Sequence, residues 1–237
     1  MLPKISCYCA TYGRPLVLEE AVYSFLQQDY KGEKELVILN DYDGHTLEFD
    51  HPEVKVFNIP NHLVPLGKKF NETVKLTTGD IIFPWEDDDI YLPHKISYTV
   101  NEMLLNDLSI FHTNSGFYEE QYQSIILTSN LFHVNMAMTR TLFNSTNGYY
   151  ESFDNIVDND SMNRWFSITN YTSKQLIPSD IFYIYRWATT NSYHGSWWSN
   201  SQMSNNTKDY INNTTNIIGH YILQPHWKYN YLDYLPL

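Results

Sequence analysis

The chain is short of cysteine, of basic residues and of long apolar runs, and each shortage removes a class of function. Its 237 residues include two cysteines, Cys7 and Cys9. Their i,i+2 spacing in a strand puts both on one face, which suits buried thiols in a reducing compartment and falls short of the four ligands a structural metal site needs. Fifteen Lys and Arg stand against 27 Asp and Glu, a formal net charge of -12. That balance argues against nucleic acid and against a broad anionic membrane surface as partners. An anionic ligand must then be met locally, by a metal or by a few well-placed cations. No run approaches the length of a membrane span, and the opening MLPKISCYCATYGRP has no leader-like apolar core. The expectation is a cytoplasmic, soluble protein with no integral membrane segment.

What is present is a hydrophobic content of 43%, enough for a sizeable core in one generous domain. Ile5 to Ala10 reads as a buried strand, followed by the turn Thr11-Tyr12-Gly13-Arg14-Pro15 and a helix with Leu18, Val22, Phe25 and Leu26 on one stripe. Glu35 to Asn40 and Val54 to Ile59 are predicted as further strands, and Leu66 to Thr77 as a helix carrying Phe70 and Val74 inward. Ile81 to Trp85 is the fourth strand, and a helix from Pro93 turns Ile96, Val100, Met103 and Leu104 to the core. Strand and helix in alternation predict an α/β fold with a parallel sheet. Beyond residue 100 the pattern is mixed, with strands at Gln123 to Thr128 and Phe132 to Thr139 and helical spacing near Ser161 to Ile168. The Asn-, Ser-, Tyr- and Trp-rich segment from Asn191 onward shows little periodicity.

The chemistry concentrates where GDIIFPWEDDD, Gly79 to Asp89, runs an apolar strand into four consecutive acidic residues. Such a run repels itself and is costly to bury, so it belongs at a strand's open end where a divalent cation or a solvated loop can tolerate it. In an open α/β sheet ligands bind beyond the carboxyl ends of the strands. The order of elements brings Thr11 to Arg14, Asp41 with Asp43, and Glu86 to Asp89 to one such crevice.

Taken together, ISCYCATYGRP, Gln28-Asp29-Tyr30, Asn40-Asp41-Tyr42-Asp43 and GDIIFPWEDDD with Tyr91-Leu92-Pro93 resemble an inverting glycosyltransferase of family 2. The resemblance covers nearly the whole chain and is strongest from Pro3 to Lys95. It implies a GT-A fold, a Rossmann-like and mostly parallel central sheet flanked by helices, with a mixed acceptor-side region. One domain over 1–237 is implied, with a nucleotide-sugar half at 1–100, an acceptor half at 101–190 and a tail or lid at 191–237. By the same resemblance Asp41 reads the base, usually uracil, and Thr11 and Arg14 line the nucleotide. Of Lys68 and Lys69, on a helix that also carries Asn71, one reaches phosphate or a carboxylate, with Lys68 as the candidate. The D-x-D triplet of the family falls on Glu86-Asp87-Asp88. Asp88 is then a ligand to Mn²⁺ or Mg²⁺, with Glu86 and Asp87 on the nucleotide side. Gly148-Tyr149-Tyr150 and Val157-Asp158-Asn159-Asp160 resemble the acceptor-side segment, where Asp158 is the general base and Asp160 its rival; Val157 departs from the usual Glu. Tyr185-Arg186-Trp187 to His194 resembles a stretch whose His completes the metal site or meets the diphosphate.

The implied reaction moves a hexose or N-acetylhexosamine from a UDP-sugar to a hydroxyl of a glycan or other acceptor, with inversion. A sugar-nucleotide nucleotidyltransferase would need a Gly-rich phosphate loop after the first strand, and CATYGRP is a poor one. A non-catalytic carbohydrate-binding module would suit the abundant Tyr and Trp but leaves the acidic strand ends without a purpose.

Overall fold

The computed structural model describes residues 1–119, 124–129, 131–151, 157–169, 171–186 and 217–235. In chain order the elements are β1 (Ile5–Thr11), α1 (Pro15–Leu26), β2 (Lys34–Asn40), β3 (His45–Glu48), β4 (Val54–Asn58), α2 (Leu66–Lys75), β5 (Ile81–Pro84), β6 (Ile90–Tyr91) and α3 (Lys95–Leu105). They continue with β7 (Ile110–Thr113), β8 (Ser115–Glu119), β9 (Ser124–Thr128), a 3₁₀ turn (His133–Asn135), β10 (Met136–Thr139), α4 (Arg140–Ser145), α5 (Val157–Ile168), β11 (Thr172–Lys174), β12 (Tyr183–Tyr185) and β13 (Gly219–Ile222). The central sheet has seven strands in the order β11-β7-β10-β5-β1-β2-β4. Its pairs are parallel except those of β10, which runs antiparallel to both β5 and β7.

Every residue of β1 and β2 is buried, because helices cover both faces of this part of the sheet. That is why these strands read as continuous apolar runs and not as alternations. Cys7 and Cys9 lie inside this core as free thiols, and burial pushes both well up from the usual thiol range. Pro15 opens α1, where its fixed φ suits the first helical position. Leu18, Val22 and Phe25 face the core as predicted.

Three expectations are corrected. A strand not foreseen, β3, alternates buried and exposed residues and pairs in parallel with β13, some 170 residues later in the chain. The run Phe132 to Thr139 is not one strand, since the 3₁₀ turn precedes β10. Leu104 is 56% exposed on the outer side of α3, while Ile96, Val100 and Met103 are buried.

The residues around β13 cover the outer face of α1, where Glu19 and Glu20 are each 1% exposed. Glu19 accepts from the Tyr221 hydroxyl at 2.8 Å and the Gln224 backbone N–H at 2.7 Å. Glu20 accepts from the Lys228 N–H at 2.9 Å, from the Tyr231 hydroxyl at 2.8 Å and from the Arg186 guanidinium. Buried carboxylates hold only when paired and hydrogen-bonded in this way.

On α3, Lys95 is buried among the rings of Tyr91, Phe182 and Tyr183, and its ammonium donates to Asn135 Oδ1 at 2.9 Å. Burial pulls its pKa down to about 7, opposed by the charge of Asp89. Above pH 7 the folded chain sheds this proton while the unfolded chain keeps it to about pH 10.4, so stability rises with pH. The expected slope from this one group is up to about 1.4 kcal/mol per pH unit. Urea unfolding at pH 7.0 and 8.5 checks it, with the slope reduced in Lys95→Met.

Candidate active site

A crevice of about 870 Å³ opens beyond the carboxyl ends of β1 and β5 and is closed on its far side by the 3₁₀ turn and the start of α5. Its volume is that of a small-molecule site. Tyr12 and Arg14 come from the turn after β1, Glu86 and Asp88 from the loop after β5, and Asp158 and Asn159 from α5. Gly13 has φ of 69°, the left-handed region that lets the chain turn there.

The four acidic residues after β5 have four different surroundings. Trp85 fixes the strand end, stacked on Tyr91 at 3.9 Å with its indole N–H on the Ala21 carbonyl. Asp87 is turned into the protein, where it accepts from the Thr11 hydroxyl at 2.6 Å and from the Arg14 guanidinium. Asp88 lines the crevice and pairs with the other arm of Arg14 at 2.8 Å. Asp89 accepts from the Tyr183 hydroxyl at 2.6 Å and the Arg186 N–H at 3.1 Å. Glu86 also lines the crevice, and burial pushes its carboxyl well up, reinforced by the charges of Asp88 and Asp158. Burial raises Asp87 too, against the pull of Arg14.

Carboxylate oxygens of Glu86, Asp87 and Asp88 lie within 4.8 Å of one another. The donor set is all hard oxygen, and the upward push on Glu86 comes first from burial and then from the neighbouring charges of Asp88 and Asp158. Both features fit a divalent cation.

The nucleotide-side residues differ in part from expectation. Thr11 is 1% exposed, its hydroxyl is given to Asp87 and its carbonyl accepts from Lys69, so Tyr12 and not Thr11 faces the crevice. Arg14 meets the acidic loop and not Asp41. Asp41 is held by Lys69 Nζ at 2.5 Å, the Leu63 N–H at 2.7 Å and His62 Nδ1 at 3.1 Å. Lys68 is exposed on α2, and Lys69 is the lysine of the site; burial lowers its pKa while Asp41 raises it. The amide of Asn71 ties α2 to the acceptor-side segment, donating to the Tyr149 carbonyl and Glu151 at 3.0 Å each and accepting from the Tyr149 N–H at 2.7 Å.

On the opposite wall Asp158 sits in the first turn of α5, where the helix dipole favours a carboxylate. Val157 beside it is buried in the core, and Asp160 is not among the described residues that line the crevice. His133, read from sequence only as part of a strand, projects between the two walls. Its Nδ1 is 3.5 Å from Asp158 Oδ2 and its Nε2 is 3.9 Å from Glu86 Oε1. Tyr12, His62 and His133 were not legible as site residues, because each stands in a segment whose motif residues lie elsewhere. His194, Trp187, Trp197 and Trp198 lie outside the described residues.

A parallel sheet with an antiparallel strand beside β5, and an acidic loop at the carboxyl end of that strand, define a GT-A glycosyltransferase fold. The family model for glycosyl transferase family 2 matches residues 6–170. The chain belongs to that family. Among solved structures it is similar to residues 1–349 of TarS from S. aureus, at 15% identity and a TM-score of 0.61, covering 76% of this chain and 60% of that one. The same protein in complex with UDP matches at 14% identity and a TM-score of 0.61, covering 89% of this chain and 65% of that one. The mannosyltransferase PcManGT from Pyrobaculum calidifontis, in complex with GDP-Man and Mn²⁺, matches at 13% identity and a TM-score of 0.60, covering 81% and 59%. At these identities the likeness is one of fold, and the chain spans about 60% of the length of these structures. No curated protein sequence matches the chain. No helix among the described residues is long and apolar enough to cross a membrane.

Proposed function

We propose that the protein is a cation-dependent inverting glycosyltransferase that moves a hexose or N-acetylhexosamine from a UDP-sugar to a hydroxyl group of a glycan or other acceptor. The observation that carries the reading is the pairing of two carboxylate sets across one crevice, Glu86 and Asp88 on one wall and Asp158 on the other. Single displacement at an anomeric carbon needs this separation, with leaving-group stabilisation on one face and a base on the other.

Asp88 and Glu86 would hold Mn²⁺ or Mg²⁺, which offsets charge on the departing diphosphate. Arg14 and Thr11 keep the loop in register by binding Asp87 from behind. The nucleoside lies against Tyr12 and His62, whose ring centroids are 4.2 Å apart. The Asp41 side chain is fully buried and is not among the described residues that line the crevice, so it acts by holding Lys69 and His62, which do line it. Asp158 takes the proton of the acceptor hydroxyl as the new bond forms. Asp158 is preferred to Asp160 because it lines the crevice. A UDP-bound and a GDP-Man-bound structure are about equally near in fold, so the choice of UDP rests on the sequence resemblance. A nucleotidyltransferase is disfavoured by the carboxylates at Asp87 and Asp88, which occupy Arg14 at the end of β1.

UDP release from UDP-glucose, UDP-galactose and UDP-N-acetylglucosamine, with simple glycoside acceptors, tests the reading. Release with Mn²⁺ that stops on adding EDTA is expected, and equal release in the presence of EDTA would contradict it.

A further inference from the structure

We propose that His133 is a positioning residue for Asp158, its Nδ1–H turning the carboxylate toward the acceptor hydroxyl. This rests on the reading of Asp158 as base. His133 is 6% exposed, and the turn that carries it is pinned on its far side. Asn135 donates to Thr113 Oγ1 at 2.7 Å and to the Asn114 carbonyl at 2.6 Å, and accepts from Lys95. The imidazole packs against the paired rings of Phe70 and Tyr149, with centroids 5.8 and 5.9 Å away. A ring so confined offers its edge in a fixed direction, and that direction is the crevice.

A buried histidine that only fills space finds a hydrogen-bond partner in the protein, as His112 does with the Phe132 carbonyl at 2.6 Å. His133 has none among the described residues; its Nε2 is buried without one, and so is Asp158 Oδ1. Its close polar neighbours are Asp158, 3.5 Å from Nδ1, and Glu86, 3.9 Å from Nε2. The 3.5 Å gap is longer than a formed hydrogen bond. Catalytic contacts of this kind commonly tighten when substrate is bound. An ionised carboxylate only accepts, so the nitrogen facing it must carry the proton. With Asp158 Oδ1 buried, a ring protonated at Nδ1 fixes Oδ2, whose second acceptor site is left for the acceptor hydroxyl.

The test uses the full chain labelled with [¹⁵N]histidine and free of metal. The resonance missing from His133→Asn identifies His133. The expected result is a proton on Nδ1 in the wild type and its transfer to Nε2 in Asp158→Ala. Turnover is followed by UDP release from UDP-sugars. His133→Asn, whose amide N–H sits near the Nδ1 position, is expected to stay within a few-fold of wild-type kcat. His133→Gln and His133→Phe are expected to lose about 10- to 100-fold, with donor KM and Mn²⁺-dependent UDP binding unchanged. A wild-type Nδ1 without a proton would overturn the inference, whether or not the variants fold. Equal kcat in all three variants, with Asp158→Asn inactive, would overturn it while leaving the base assignment intact. Undiminished turnover in Asp158→Asn would remove the base assignment itself.

Discussion

Asp158→Asn is expected to lower transfer by about 10²- to 10⁴-fold with Mn²⁺-dependent UDP binding as in the wild type. The amide keeps the size of the carboxylate and its place in the first turn of α5, but it cannot take a proton. The loss must therefore fall on kcat and spare donor binding, the pattern of an interaction made only as the reaction proceeds. Asp160→Asn, outside the described lining of the crevice, is expected to keep most of the activity. Comparable loss in both variants would point to helix stability as the cause.

The second large effect is expected far from the acceptor. Arg186 is 1% exposed, donates to the Asp88 carbonyl and to Glu20, and its backbone N–H holds Asp89. It thus links the acidic loop to α1 and, through Glu20, to the residues after β13. Arg186→Met leaves a buried carboxylate at Glu20 without its cation, a change that costs about 3–5 kcal/mol. For a chain of this size the melting temperature is expected to fall by on the order of 10 °C. UDP affinity should fall as well, because the carbonyl of Asp88 loses its clamp. Adding Glu20→Gln to Arg186→Met removes the orphaned charge and should restore part of the stability but not the affinity. Calorimetric melting and UDP titration of the wild type and the two variants separate the two contributions.

Much of this arrangement was legible in the residues, and the rest was hidden for physical reasons. β1, β2 and β5 announced themselves because burial on both faces demands uninterrupted apolar runs. The acidic residues after β5 stood out because such charge has few places to go. Which of them faces the crevice was not legible, since Asp87 is turned inward by Thr11 and Arg14, both distant in sequence. The choice between Lys68 and Lys69 is a rotation of about 100° around α2, settled by Asp41 on another element. β3 is four residues long and becomes a paired strand only because β13 returns to it. Glu19 and Glu20 of α1 are buried only because residues 217–235 cover them. His133 carries no motif, and only the fold brings it to Asp158.

The most direct test of the central claim, a nucleotide-sugar crevice built on Asp88, is calorimetric titration of UDP with Mn²⁺ and then with EDTA. It should be repeated on Asp88→Ala. The expected result is saturable binding with Mn²⁺ that is lost in EDTA and lost in the variant. Absence of UDP binding with any metal, or binding that neither EDTA nor Asp88→Ala alters, would contradict it.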